Sequence, residues 1–296
     1  MKSKFVIIYF IGFLFGINCH AQLTDLARID YTFVPDFTSG IEYSRARALI
    51  NYPIKLKKKE NYLLLGLDYS NINLRINRTD FPFDESLIND FQSLDFSFGF
   101  TKPIKNNWRF GIRVKPGFST NLNANSLSFE DVVISGDIIF VKKQEKSEDI
   151  KYPYRLILGV SYSENRGIPF PLPFISYSKK FHRNWSFNLG IPKTDLQFHI
   201  SHKQNIKLYA ELDGFTANLQ GGVLLNDDTS AETINMSVII SGLQYEYYFT
   251  EHLQIYARSA YIFSNNASLK DKNHNRIFTL DNKPSLYLRT GIRFKL

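Results

Sequence analysis

Cysteine is almost missing from this chain of 296 residues: the single one, Cys19, lies near the N-terminus. No disulfide framework can form, and thiol chemistry has one residue to draw on at most. Long apolar runs are equally scarce. Beyond the N-terminus no stretch approaches the ~20 apolar residues that a membrane-spanning helix requires, and mean hydropathy is −0.22. A helical membrane protein is excluded. The net charge of +8 is not gathered into a basic patch but spread over alternate positions, which argues against nucleic acid as a partner. Glycine-rich phosphate loops are absent too. The stretch Gly190-Ile-Pro-Lys193-Thr194 has neither the preceding glycines nor the following helix that such a loop needs. No cofactor is expected.

What the chain does have is alternation. Among the last twelve residues, Leu286, Leu288, Thr290, Ile292, Phe294 and Leu296 fall on one face of a strand. Tyr287, Arg289, Gly291, Arg293 and Lys295 fall on the other. A charge facing lipid at mid-membrane costs ~2–4 kcal/mol, so Arg289 and Arg293 set which face points inward. The segment reads as the closing strand of an outer-membrane β-barrel, apolar outside and basic inside. Aromatic residues make up 15% of the chain, and they favour strands and interfacial girdles.

The N-terminus reads as a cleaved secretory leader over residues 1–21. Lys2 and Lys4 precede an apolar run from Phe5 to Ile17, and Cys19-His20-Ala21 places small residues before a cleavage site. A lipoprotein signal acylated at Cys19 is the rival, and Asn18 before that cysteine fits it poorly. Cleavage after Ala21 removes the only cysteine and lowers the net charge from +8 to +6. Residues 22–296 then form a single barrel domain.

Alternation predicts fourteen strands: 28–35, 41–56, 62–76, 91–104, 108–119, 129–141, 152–163, 174–181, 185–191, 196–201, 206–215, 234–249, 253–264 and 285–296. The first is weak, and twelve strands are also compatible with the pattern. Short connections at 57–61, 105–107, 182–184, 202–205 and 250–252 alternate with long or polar ones at 77–90, 121–128, 218–233 and 265–284. Short periplasmic turns, longer external loops and periplasmic N- and C-termini give that rhythm. The connection 142–151 is long for its side. Lys105-Asn-Asn-Trp108-Arg-Phe-Gly-Ile112 parallels His182-Arg-Asn-Trp185-Ser-Phe-Asn-Leu189, which sets Trp108 and Trp185 in an aromatic girdle. Phase changes near 69–72 and 240–243 read as bulges or as strands leaving the bilayer. Pro169, Pro171 and Pro173 put three missing N–H groups on one edge. Residues 168–173 are therefore expected outside the bilayer or in the mouth.

Thr24-Asp-Leu-Ala-Arg-Ile-Asp-Tyr31, Leu189-Gly-Ile-Pro-Lys-Thr-Asp-Leu196 and the ending from Arg289 to Leu296 together resemble an uncharacterised outer-membrane β-barrel family of Bacteroidota type, a domain of unknown function. The resemblance implies a Gram-negative outer-membrane location and a barrel of about this size. It implies no catalytic or binding residue.

The inward charges are the most plausible functional feature. Arg45, Arg47, Arg75, Arg109, Arg113, Lys115, Arg155, Lys207, Arg258, Arg289 and Arg293 meet Asp68, Asp95, Asp137, Asp195, Glu211, Asp213 and Glu246. They form either a network of ion pairs filling a narrow lumen or the lining of a water-filled, anion-preferring pore. Asp271-Lys-Asn273-His-Asn275 spaces oxygen atoms like half a calcium loop, but Arg276 and Asn282 replace the glycine and glutamate that such a loop uses. Along a strand Asp195 lies ~13 Å from His199, and Ser201 ~7 Å from it, so no hydrolase triad is expected and the protein is read as no enzyme. Porin-like passage of small solutes, anionic ones included, leads, with outer-membrane lipids as surroundings. A non-conducting barrel that uses its surface loops for binding or envelope structure is the alternative. A barrel enzyme and a soluble exported β-protein follow.

Overall fold

A computed structural model describes residues 25–36, 39–57, 60–78, 80–123, 126–144, 152–163, 168–225 and 229–295. The expected leader and residues 145–151 of the 142–151 connection lie outside them. The strands are β1 (Ala27–Val34), β2 (Ile41–Lys55), β3 (Tyr62–Ile76), β4 (Asp90–Pro103) and β5 (Trp108–Thr120). There follow β6 (Val132–Gln144), β7 (Tyr154–Ser163), β8 (Ile168–Lys180), β9 (Trp185–Ile191) and β10 (Lys193–His199). The series ends with β11 (Gln204–Leu224), β12 (Ser230–Tyr248), β13 (Leu253–Lys270), β14 (Arg276–Asp281) and β15 (Leu286–Phe294).

From β1 to β13 each strand pairs antiparallel with the next, and β15 lies between β13 and β1. That closes a 14-strand antiparallel barrel, with β14 folded back on the far end of β13 as an added hairpin. Closure leaves no sheet edge around the ring at mid-height. At the seam Arg28 stands opposite Arg293 and Asp30 opposite Gly291. A Cβ at residue 291 would lie 2.6 Å from the Ile29 carbonyl oxygen and 2.7 Å from the Asp30 Cβ, so glycine lets the two terminal strands approach.

The period of two sorts the side chains. Ile29, Phe98, Ile138, Leu189, Leu208 and Leu243 lie on the outer surface in different sectors and are all about half exposed or more. Asp30, Arg45, Asp95, Glu246 and Arg289 on the inner face are buried. The paired tryptophan turns differ locally. Asn106 and Asn107 both take positive φ, which asparagine tolerates, whereas neither Arg183 nor Asn184 does.

Wall height is uneven. β11, β12 and β13 have 21, 19 and 18 residues, whereas β9 and β10 have 7 each. Past Glu211, where β10 ends at Lys193, β11 leaves the wall. It crosses the interior and pairs in parallel with β5 at Asn218 and Thr120. The Ser119 hydroxyl donates to the Thr216 carbonyl at 2.7 Å, and the Asn121 side-chain oxygen accepts from the Gln220 N–H at 3.1 Å. Gly221 and Gly222 at positive φ accommodate the register shift with β12 that follows. At the long-loop end β1–β5, β11–β13 and β15 thus surround an apolar filling. Phe215 meets Tyr43 at 5.9 Å and Phe91 at 5.7 Å between ring centres, with Ile72, Leu74, Ile234, Ile262 and Leu280 buried around them. Burying each such side chain contributes about 1.5–3 kcal/mol.

Several sequence expectations are corrected. The polar connections at 218–233 and 265–284 are largely strand, because β11–β13 continue past the point where the wall needs them. The phase change at 69–72 is no bulge: registers with β2 and β4 run through it unbroken, and Ile72 turns inward to the apolar filling. The change near 240 is a bulge, between Ile239 and Ile240.

β8 begins at Ile168 rather than at Phe174. Pro173 stands opposite Val160. Having no N–H, proline can take that place only as a non-hydrogen-bonded pair. The Pro173 nitrogen therefore faces away from β7, and the register with β7 shifts over the stretch that holds Pro169 and Pro171. On that second edge β9 ends at Ile191 opposite Ile175. Among the described residues no strand covers the edge beyond it.

Candidate functional site

The interior below the apolar filling holds a cavity of about 810 Å³. Its lining runs from Asp25, Arg293 and Lys295 at the short-turn end to Ser163, Pro192 and Lys193, and Leu212 to Phe215 of β11 border it as well. Eight arginines and three lysines line it against five aspartates and one glutamate.

Alternation delivers these side chains inward, and ion pairs organise them in two groups. On the β11–β15 side Asp213 accepts two hydrogen bonds from Arg45, at 3.0 and 3.2 Å, one from the Tyr287 hydroxyl at 2.7 Å, and a close one from Arg289. Glu211 pairs with Arg258 at 2.9 Å and Lys193 at 3.4 Å. Glu246 has no exposure and meets Lys207 at 2.8 Å and Arg293 more closely still. On the β3–β7 side Arg47 holds Asp68 through two nitrogens, at 2.8 and 2.5 Å. Lys115 reaches Asp95 at 3.3 Å and Asp68 at 3.7 Å, and Arg113 pairs with Asp137, which also accepts from Ser161 at 2.5 Å. Such pairing offsets the cost of taking charges out of water. Arg155 lines the same cavity and has no hydrogen-bond or ion-pair partner among the described residues.

Of the inward charges expected from sequence, Arg113, Lys115, Arg155, Asp95, Asp137, Glu211, Arg258, Arg289 and Arg293 line the cavity. Arg109 does not. It sits at the short-turn end, donating to the Glu60 carbonyl at 2.9 Å and lying over the Tyr62 ring. Arg75 is 68% exposed and pairs with Glu42 outside the lumen. Trp185 packs on Phe198 at 4.8 Å, and the Lys142 ammonium lies over Trp108 at 5.7 Å. Sequence reading missed Arg28, Asp30 and Lys193. Arg28 and Asp30 pair at 2.8 Å on β1, and their alternation with Ile29 and Tyr31 was the available signal.

His199 meets neither Asp195 nor Ser201. Its Nε2 lies 3.0 Å from the Ser186 hydroxyl, and its Nδ1 lies 3.0 Å from both the Asn205 oxygen and the Gln197 nitrogen. These are the distances of a nucleophile, base and orienting group. Ser186, His199, Asn205 and Gln197 all lie outside the lining of the charged cavity. In the half calcium loop, Asp271 turns its oxygens back on its own loop, accepting from the backbone of Asn273 and Asn275 at 2.9 and 2.8 Å. No group of metal-holding side chains occurs among the described residues.

One carboxylate fastens the crossing strand. Asp131, in the short 3-10 turn before β6, accepts from Asn218 at 2.8 Å, Gln220 at 2.7 Å and the Ser128 N–H at 2.7 Å. Burial pushes its pKa up, but these hydrogen bonds outweigh burial and hold it below its ordinary value of 3.8.

Curated protein sequences give no match to the chain. Solved structures that it resembles include an outer-membrane channel from Pseudomonas putida F1, at 10% identity and a TM-score of 0.42, over 95% of this chain and 100% of that one. The NanC porin matches at 8% identity and a TM-score of 0.39, over 91% and 100%. Outer-membrane phospholipase A from Escherichia coli matches at 9% and 0.36, over 92% and 96%. Residues 38–295, from just before β2 to the end of the barrel, match the profile described as Domain of unknown function (DUF6268), and the chain belongs to that family.

Proposed function

We propose that the protein is an outer-membrane barrel that passes small solutes, with a preference for anions, and that both chain ends lie in the periplasm after removal of the leader. One observation carries this reading: a cavity of about 810 Å³ lined by an excess of cations inside a wall whose outer surface is apolar in every sector. Apolar residues outward and charges inward are stable in lipid and unfavourable in water. Aromatic rings near the short turns support the same placement, with Phe181, Phe187 and Tyr177 in contact beside Trp185. The surroundings are outer-membrane lipids, and the role is passage rather than catalysis.

A second reading rests on the apolar filling. A barrel closed at its long-loop end by Phe215, Tyr43 and Phe91 suits a non-conducting protein that displays its loops. Single-channel conductance of the refolded mature chain in a planar bilayer separates the two. Steady openings with anion preference are expected. A folded but silent barrel overturns passage and leaves the loops as the functional surface.

A further inference from the structure

The apolar filling and the short hairpin together raise a question of route. β9 and β10 have seven residues each, whereas a tilted barrel strand needs about 9–11 to cross the hydrocarbon. Seven residues rise about 20 Å along the strand, and with a tilt near 40° they climb about 15 Å of an apolar belt about 25 Å tall. The outward residues Leu189, Ile191 and Leu196 mark this hairpin as lipid-facing. Its tip at Pro192 therefore lies within the bilayer.

On either side the wall continues upward, and among the described residues β8 and β11 do not pair across the gap. β8 rises past Ile191, its last partner on β9, with Pro173 and Pro171 in the part beyond, neither of which has an N–H to donate. β11 turns inward after Leu212, whose N–H donates to the Pro192 carbonyl at 3.1 Å, and goes on to β5. The result is a notch between β8 and β11. Ser163, Pro192, Lys193 and Leu212 around it all line the cavity, and Phe170 on β8 is 56% exposed. Prolines along an edge prevent another strand from adding there, which keeps the notch from being zipped shut.

We infer that the lumen opens sideways, through the notch above the β9–β10 hairpin, into the outer half of the bilayer, and that it carries an acyl-chain amphiphile with an anionic head group. This rests on the passage reading and names its route and passenger. The head group, a carboxylate or phosphate, meets Lys193 at the notch and, deeper in the cavity, Arg155, which has no partner among the described residues. The chain remains in lipid beside Phe170 and the proline edge. A purely polar solute would gain nothing from an opening onto hydrocarbon.

The test uses the mature chain in liposomes, with Ser163→Cys carrying a bimane in the cavity and heat-modifiable gel mobility confirming that each variant is folded. Nitroxide-labelled stearate is expected to quench the bimane saturably. Lys193→Glu should raise the half-quenching concentration about tenfold, and the milder Lys193→Gln several-fold. Equal quenching by a nitroxide phosphatidylglycerol would assign the source to membrane lipid; quenching by stearate alone would assign it to free single-chain acids. Quenching only by a water-soluble nickel chelate overturns the lateral route. Conductance of the same preparation keeps the two readings apart: steady openings without lipid quenching retain the pore and remove the notch, whereas lipid quenching in a silent barrel does the reverse.

Discussion

β9 and β11 stand two places apart in one wall, yet β9 has 7 residues and β11 has 21. On the short side every residue is needed for the wall, so the interior beside it stays a cavity lined with charge. On the long side the surplus of β11 folds across the barrel and fills it with apolar side chains. Strand length thus decides, sector by sector, whether the interior is solvated or packed. The inner face of β3 records the change within one strand, from Asp68 and Ser70 beside the cavity to Ile72 and Leu74 in the filling.

The comparison can be broken most severely where the two regions meet. Asp213 lies at the bend of β11 and holds Arg45, Arg289 and Tyr287. Asp213→Ala leaves two buried guanidiniums without their shared carboxylate and should cost about 3–5 kcal/mol in denaturant unfolding of the refolded barrel. A loss under 1 kcal/mol would mean that the junction is well hydrated. Next, Phe215→Ala removes the ring against Tyr43 and Phe91. A cost of about 3 kcal/mol is expected, together with increased ion conductance as the long side loosens. Unchanged conductance would show that the filling does not limit flow.

A smaller effect is expected at the clamp. Asp131→Asn should cost about 1–3 kcal/mol, because the amide cannot accept from Asn218, Gln220 and Ser128 together. The carboxyl titrates below its ordinary 3.8, so its contribution is complete above that value and is lost as pH falls through the lower folded value. Stability curves of the native protein and Asp131→Asn should therefore converge in strong acid. The smallest change belongs to the short side. Arg155→Gln breaks no ion pair among the described residues and should shift stability by less than about 0.5 kcal/mol, while reversal-potential measurements show reduced anion preference.

Much of the short side was legible in the sequence. Leu156, Leu158 and Val160 alternating with Arg155, Gly159 and Ser161 gave both the strand and its faces. The terminal arginines indicated which way the charges point. The long side was harder because lipid and a packed protein interior select the same residues. Ile234, Ile240 and Leu269 satisfy either, so periodicity could not reveal that these strands bury their apolar face inward. Ion-pair partners were out of reach for another reason: Arg45 and Asp213 lie 168 positions apart, and only closure of the ring brings them together. The three prolines revealed an edge without donors. What they could not reveal was that the neighbouring hairpin stops short of it.

The closing seam has a consequence for biogenesis. β15 brings Arg289 to Asp30 and Asp213, and Arg293 to Glu246. Until this strand docks, each of those carboxylates is one cation short. Correct insertion of the final strand is therefore rewarded electrostatically at three separate places. An incompletely rolled sheet leaves these three carboxylates each short of one partner, which marks it as unfinished for as long as it stays open.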